Sequence, residues 1–264
     1  MDTIMLDRED LIRRSGVRNV FIPNKPIDSI ELFSGRQEEV NKIIECLGTS
    51  GLHVLLYGDR GVGKTSLSSI TCSILTMERI IPNFYIKRCD SGDTFSSIIM
   101  HLFEELNIEC ILKKNKSWGL SILWNLLSFS KGHNIEVVTY DNINSPSWVA
   151  KKVAHEKSVF LIDEIDVLLN PNDKKKIAEL IKQLSDNNSK FTIFIVGISK
   201  TASELTGGHP SIQRCLKEVR LDRMSDNELR DILIKGEERL NIKFSNEVKR
   251  VIHYCPLKMD GVKN

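Results

Sequence analysis

The chain lacks any apolar run that could cross a bilayer, a task that takes roughly 20 residues. Its longest candidate, Leu120 to Phe129, is interrupted by Ser121, Asn125 and Ser128, so no membrane partner is expected. It also has little net charge: 37 Lys and Arg against 35 Asp and Glu leave +2. That balance makes no case for DNA as a partner, while a local basic patch stays possible. The six cysteines, Cys46, Cys72, Cys89, Cys110, Cys215 and Cys255, form no CxxC pair. A zinc site or a disulfide framework is not expected, and reduced thiols suit a cytoplasmic protein. The first residues, MDTIMLDRED, place acids where a secretory signal carries bases. Internal repeats and low-complexity tracts are absent as well. What remains is 264 residues, 41% apolar and 27% charged, an ordinary folded composition with length for one large domain or a core plus an appendage.

Short apolar runs alternate with helical periodicity. Residues 1–15 read as a short polar helix ended by Gly16, and Pro23 and Pro26 keep 17–34 irregular. Val40, Ile43, Ile44 and Leu47 share one face of a helix over Gln37 to Leu47. His53–Tyr57 reads as a buried strand, followed by a glycine-rich turn and a helix to about Leu75. Phe84–Arg88 is a second strand, and Asp93 caps a helix from Thr94 to Leu106. Within 107–150 the pattern is weak: a helix over Trp118–Phe129, a strand over Ile135–Tyr140, a turn at Asn144-Ser145-Pro146 and a helix start at Ser147–His155. Ser158–Ile162 and Phe191–Val196 are further strands, with a helix over Lys174–Leu184 between them and a fifth strand at Cys215–Leu221. Apolar strands alternating with helices predict a parallel sheet covered on both faces. From Ser225 the pattern is helical, with Leu229, Ile232 and Leu233 apolar, and Ser245 opens another helix. A domain boundary is placed near 222–225.

Gly58-Asp59-Arg60-Gly61-Val62-Gly63-Lys64-Thr65, followed by Ser66, fits G-x-x-x-x-G-K-[ST] between a strand and a helix. Glycines let backbone N–H groups face phosphates, and the helix N-terminus adds a favourable dipole. Lys64 supplies a charge to the outer phosphates and Thr65 a hydroxyl to Mg²⁺. The strand Val159–Ile162 then ends in Asp163-Glu164. Asp163 is read as the Mg²⁺-side carboxylate beside Thr65, and Glu164 as the group polarising the attacking water. Asp166 is read as a cap or as a substitute base. Ser199, past the end of the next strand, is placed near the γ-phosphate, because parallel sheets bind ligands at their carboxyl ends. It could equally start a helix, leaving Lys200 as the polar contact. Arg214, before the fifth strand, is read as an arginine finger reaching a neighbouring subunit's nucleotide; Arg220 and Arg223 are rivals, and a plain surface role stays open. Lys113, Lys114, Lys116 and Lys174 to Lys176 are read as solvated faces, and Trp118, Trp124 and Trp148 as core.

These residues, with Phe21-Ile-Pro-Asn-Lys-Pro-Ile27 and Leu32-Phe-Ser-Gly-Arg36-Gln-Glu-Glu39, resemble an AAA+ P-loop ATPase. The GRxxE box ahead of the P-loop is similar to that of the initiator-like clade, the origin-recognition-like and transposition ATPases. HPSIQRCLKEVRLDRMSDNEL also resembles a group of bacterial ATPases of this type. The resemblance implies an α/β P-loop fold, a parallel sheet of about five strands flanked by helices with a small helical lid. Residues 1–222 would be the core, with 1–34 an adenine-side segment, and 223–264 a partial lid. It implies adenine contacts from Val20, Phe21 and Phe33, ATP and Mg²⁺ as cofactors, and a homo-oligomer joined through its nucleotides, with a partner protein. The Gly-x-Pro turn of the usual lid is missing, and no segment follows that could form a winged helix, so the lid is expected to be shortened. The reading is an ATPase driving assembly or a conformational switch. The alternatives are a STAND-like signalling or defence switch working with a partner chain, and a DNA-bound loader or transposition regulator.

Overall fold

The computed structural model describes residues 16, 33, 35–108, 110–113, 136–198, 203–205 and 211–245. In chain order the elements are α1 (Gln37–Leu47), β1 (His53–Gly58), α2 (Lys64–Met77), β2 (Asn83–Arg88), α3 (Phe95–Glu105), β3 (Cys110–Lys113) and β4 (Glu136–Thr139). Then come α4 (Tyr140–Ile143), α5 (Pro146–Val153), β5 (Ser158–Asp163), α6 (Pro171–Asp186), β6 (Thr192–Gly197), α7 (Ile212–Cys215), β7 (Leu216–Leu221) and α8 (Asp226–Leu240). A single 3₁₀ turn, Ile165–Val167, separates β5 from α6.

Five strands form one parallel sheet in the order β2-β5-β6-β1-β7. The central strands β5 and β6 are buried at every position. Such strands need apolar residues on both faces, which is why they read as continuous runs. The edges differ. β2 is half-exposed along its length, and β7 exposes Lys217, Glu218 and Arg220 while burying Leu216, Val219 and Leu221. Successive residues of each strand serve opposite faces. Leu55, Phe160, Ile162, Ile193 and Ile195 pack under α3, α5 and α6. Val54, Leu56, Val159, Leu161, Phe194 and Val196 pack under α1 and α2. Truncating a fully buried ring such as Phe194 to Ala would cost about 3–5 kcal/mol.

Helix starts depart from expectation where a nearby residue caps better. Thr94, not Asp93, caps α3, in a reciprocal box with Ser97. Asp93 instead accepts from the Asp90 N–H and the Ser97 hydroxyl, and pairs with Lys87 at 2.9 Å. Pro146, read as part of a turn, is the first residue of α5, and Pro171 the first of α6, behind the caps Ser145 and Asn170. Proline fits there because its missing N–H has no helical partner anyway. α6 therefore begins three residues before Lys174. Cys215 belongs to the helical turn α7 rather than to β7. The short pair β3–β4 is parallel and was not anticipated at β3. Trp148 packs edge-on against Phe103, with ring centroids 6.1 Å apart, in keeping with a core role. Trp118, Trp124 and the helix expected over Trp118–Phe129 lie outside the described residues, as do residues 1–15 of the expected N-terminal helix and most of the helix expected from Ser245; Gly16, read as the stop of the N-terminal helix, is itself helical.

Among the described residues no helix is long and apolar enough to cross a membrane. Cys46, Cys72, Cys89 and Cys215 are free and buried, and burial pushes the Cys72 and Cys89 thiols up to about 12. Thiols held so far from ionisation are inert packing groups.

Candidate nucleotide site

The P-loop leaves β1 at Gly58 and enters α2 at Lys64. A Cβ on Gly58 would lie 2.2 Å from the backbone oxygen of Leu221, the last residue of β7. Only glycine lets the loop begin against that strand. Gly63, the residue ahead of α2, has φ 93°, a backbone that side chains resist. The first turn of α2 therefore presents its free N–H groups to a cavity of about 680 Å³. The cavity is lined on one side by Arg60, Gly61, Gly63, Lys64, Thr65 and Ser66. Asp163, Glu164 and Asp166 also line it, with Val196, Gly197 and Ile198 from the end of β6. The register explains the meeting: β1, β5 and β6 all run the same way and end at one edge of the sheet.

The polar contacts are specific. Thr65 Oγ1 donates to Asp163 Oδ2 over 2.9 Å. Asp163 is 2% exposed, and its Oδ1 accepts from the N–H of Glu164 over 2.9 Å. Arg88 Nε, at the end of β2, lies 3.8 Å from Asp163 Oδ2. Burying a carboxylate is expensive unless it is paired and hydrogen-bonded, and here it is both. Lys64 Nζ donates to the backbone oxygens of Gly58 (3.0 Å) and Asp59 (2.6 Å). Burial lowers the Lys64 ammonium from its usual value, against the pull of Asp166, Asp163 and Asp59. Glu164 is exposed, in left-handed backbone with φ 58°, directly after the strand. Asp166 lies 3.8 Å from the guanidinium of Arg60.

The oxygen donors Thr65 and Asp163 suit a hard cation such as Mg²⁺. Among the described residues no group of three or more His, Cys, Asp and Glu could hold a metal alone.

The structure thus brings Gly58, Asp59, Arg60, Gly61, Val62, Gly63, Lys64, Thr65 and Ser66 into one loop and helix start beside Asp163 and Glu164. Val20, Phe21, Ser199 and Lys200 lie outside the described residues. Arg214 is exposed in α7 and is not part of this cavity. Leu216 of β7 pairs with His53 and Leu221 with Gly58, so Arg214 sits at the end of the sheet opposite the P-loop. Arg220 Nε is paired with Asp222 at 2.8 Å. Arg88 was missed, because only the pairing of β2 with β5, with Arg88 opposite Asp163, brings it to the site.

Residues 54–223 match the family described as "ATPase family associated with various cellular activities (AAA)". The chain belongs to the AAA ATPase family. Its fold is shared with a Walker-type ATPase of Pyrococcus abyssi, at 17% identity and a TM-score of 0.57, over 87% of this chain and 65% of that one. It is shared too with the ORC2 protein of Aeropyrum pernix, at 12% identity and a TM-score of 0.52, over 84% of this chain and 55% of that one. Cdc6p of Pyrobaculum aerophilum aligns at 15% identity and a TM-score of 0.54, over 84% of this chain and 53% of that one. This AAA chain therefore spans less than two thirds of the length of each of these relatives. No curated protein sequence matches it. Membership of the AAA family supports nucleotide-dependent ATPase activity in general, and the α/β P-loop fold with its five-stranded parallel sheet is that of its AAA+ neighbours.

Proposed function

We propose that this chain binds ATP with Mg²⁺ in the cavity between the P-loop and the end of β5 and hydrolyses it to ADP and phosphate. The observation that carries the reading is the meeting of two motifs: Thr65, the first-turn hydroxyl of α2, is hydrogen-bonded to Asp163, the buried acid that ends β5. When bound, Mg²⁺ would neutralise charge on the outer phosphates. The chain's own groups do the rest. The N–H groups of residues 61–66 bind phosphate oxygens at the positive end of α2. Lys64, whose ammonium now satisfies the carbonyls of Gly58 and Asp59, exchanges them for phosphate oxygens. Glu164, exposed at the cavity edge, orients the attacking water and takes its proton.

The position of Arg214 supports a second-subunit role. It is exposed at the sheet end remote from its own P-loop, so a nucleotide that it serves would be a neighbouring chain's, and the assembly we propose is a homo-oligomer bridged by nucleotide. Turnover in such an assembly drives association or a conformational switch of a partner protein. The core would then end near 222 and a helical lid begin with α8.

The direct test is fluorescent ATP binding to the wild type and to Lys64→Ala. Loss of a charge-assisted contact of about 1.5–3 kcal/mol predicts affinity weaker by roughly tenfold or more. Equal affinity in the two proteins would remove the P-loop assignment.

A further inference from the structure

α8 makes polar contacts to the segment ahead of α1. Of its 15 residues only Leu233 and Gly236 are buried. Among the described residues, a set of these contacts comes from residues 33, 35 and 36. Arg36 caps α1 in left-handed backbone with φ 60°, and its side chain is 5% exposed. Its Nη2 donates to the carbonyl of Asp222, the first residue past β7, over 2.5 Å. Its Nε lies 3.6 Å from Glu228 Oε1, in the first turn of α8, and its Nη1 lies 3.6 Å from Glu39 Oε1.

The backbone joins in. The N–H of Arg36 donates to the same Glu228 oxygen over 3.1 Å. Glu228 Oε2 accepts from the N–H and the hydroxyl of Ser225, at 2.8 and 2.9 Å. Burial works to raise the Glu228 carboxyl, but the bonds from Ser225 and Arg36 and the Arg36 charge outweigh it and hold the group below the usual glutamate value. Gly35 has φ +74°, and a Cβ there would lie 3.1 Å from Glu228 Cγ and Oε1, so the loop presses directly on the carboxylate. Farther along the helix, Lys235 Nζ donates to the carbonyl of Phe33. Phe33 packs against the same apolar cluster as Val62 of the P-loop.

Arg36 Nε is buried with no hydrogen-bond partner and has only its 3.6 Å ion pair with Glu228 to offset that burial, so a guanidinium that loses this carboxylate is strongly unfavourable. An apolar face can slide by degrees; this contact is made or broken. Residues 222–225, between β7 and α8, have no regular structure and offer the pivot.

We propose that Arg36 and Glu228 form a latch that fixes the angle of α8 about residues 222–225, and that opening it shortens the time a nucleotide stays in the cavity. The proposal deepens the nucleotide-binding reading and rests on it. Arg36 and Glu228 are positioning residues: neither lines the cavity, and both act through the loop 33–36, which shares its packing with the P-loop.

The test combines hydrogen exchange along α8 with release of a fluorescent ADP analogue, measured on the same full-length preparations. Glu228→Gln keeps a side chain able to close the capping box but removes the charge facing Arg36. Arg36→Lys keeps a charge but loses the fork that reaches three partners. Each is expected to speed exchange throughout α8, including the turn of Lys235, by about tenfold or more, the scale of a buried charge losing its partner. Each is also expected to speed release of the analogue several-fold. Ser225→Ala frays the cap alone, so its faster exchange stays in the first turn and release is unchanged.

Unchanged exchange in α8 for both variants overturns the latch. Faster exchange with unchanged release overturns its control of the nucleotide. Absence of analogue binding by the wild type overturns the nucleotide-binding reading, and the exchange measurement still decides the latch. A variant that fails to fold loses protection in β5 and β6 as well; Lys235→Met, which removes only the contact to Phe33, then takes its place with the same two expected changes.

Discussion

Thr65 Oγ1 and Asp163 Oδ2 lie 2.9 Å apart although 98 positions separate them in sequence. The bond ties the start of α2 to the end of β5 and puts a hydroxyl and a carboxylate on the phosphate side of the cavity. Asp163→Asn keeps the shape and the bond to Thr65 but removes the charge. Its expected effect is selective: ATP binding without metal changes little, and the gain in affinity on adding Mg²⁺ falls about tenfold or more, the scale of a charge-assisted contact. Paired titrations with and without Mg²⁺ read this, and an undiminished Mg²⁺ effect would place the ion elsewhere.

Glu164 and Asp166 both face the cavity, but only Asp166 is engaged by a P-loop residue, Arg60 at 3.8 Å. Glu164→Gln is expected to bind ATP normally and to turn over about a hundredfold more slowly, the size of a general-base contribution. Asp166→Asn is expected to keep most of the turnover. Steady-state phosphate release from the two variants separates the roles; the reverse ranking would make Asp166 the base.

Arg214 gives the prediction most exposed to failure. If it serves a neighbouring chain's nucleotide, specific activity rises with protein concentration. A mixture of Arg214→Ala and Lys64→Ala chains regains activity that neither has alone, because one brings the intact pocket and the other the intact arginine. The contribution of such an arginine is about 10³–10⁵ in rate. Flat specific activity together with an inactive mixture would make Arg214 a plain surface residue.

His53 predicts an acid sensitivity remote from the cavity. Its ring is fully buried at the start of β1, where Nδ1 accepts from the N–H of Ile193 over 2.9 Å. Burial lowers its pKa from 6.5 to about 3. The unfolded chain therefore binds the proton more tightly. The stabilisation is complete above about pH 6.5 and is lost as the pH falls towards 3. The slope contributed is at most about 1.4 kcal/mol per pH unit. Thermal unfolding from pH 7 to pH 4 should show a flatter decline for His53→Gln than for the wild type, and parallel curves would assign the decline to other groups.

The sequence was most legible where one residue type serves one local purpose. β1, β5 and β6 are buried on both faces, so their apolar runs stood out, and the P-loop and Asp163-Glu164 follow their strands directly. Helix starts were harder. The helix over Lys174–Leu184 was read three residues short of its start at Pro171, because its apolar spacing begins only at Ile177. Contacts between distant segments left no local trace at all. Arg88 reaches Asp163 only because β2 lies beside β5, and the role of Arg36 depends on Glu228, 192 positions away. The GRxxE box marked Arg36, yet its partner on α8 needed the fold.

The strand order carries a consequence for how the chain comes to be made. β1 lies between β6 and β7, so it has no neighbour in the sheet until Gly197 and then Leu221 have been synthesised. At the usual 5–20 residues per second, β1 waits roughly 7–30 s after its own synthesis for its first partner. During that time Val54, Leu55 and Leu56, which end fully buried, have no sheet to enter. Assembly of the phosphate loop is thereby a late event on the ribosome, and a nascent chain cut short before β6 exposes the apolar strand that chaperones bind and aggregates recruit.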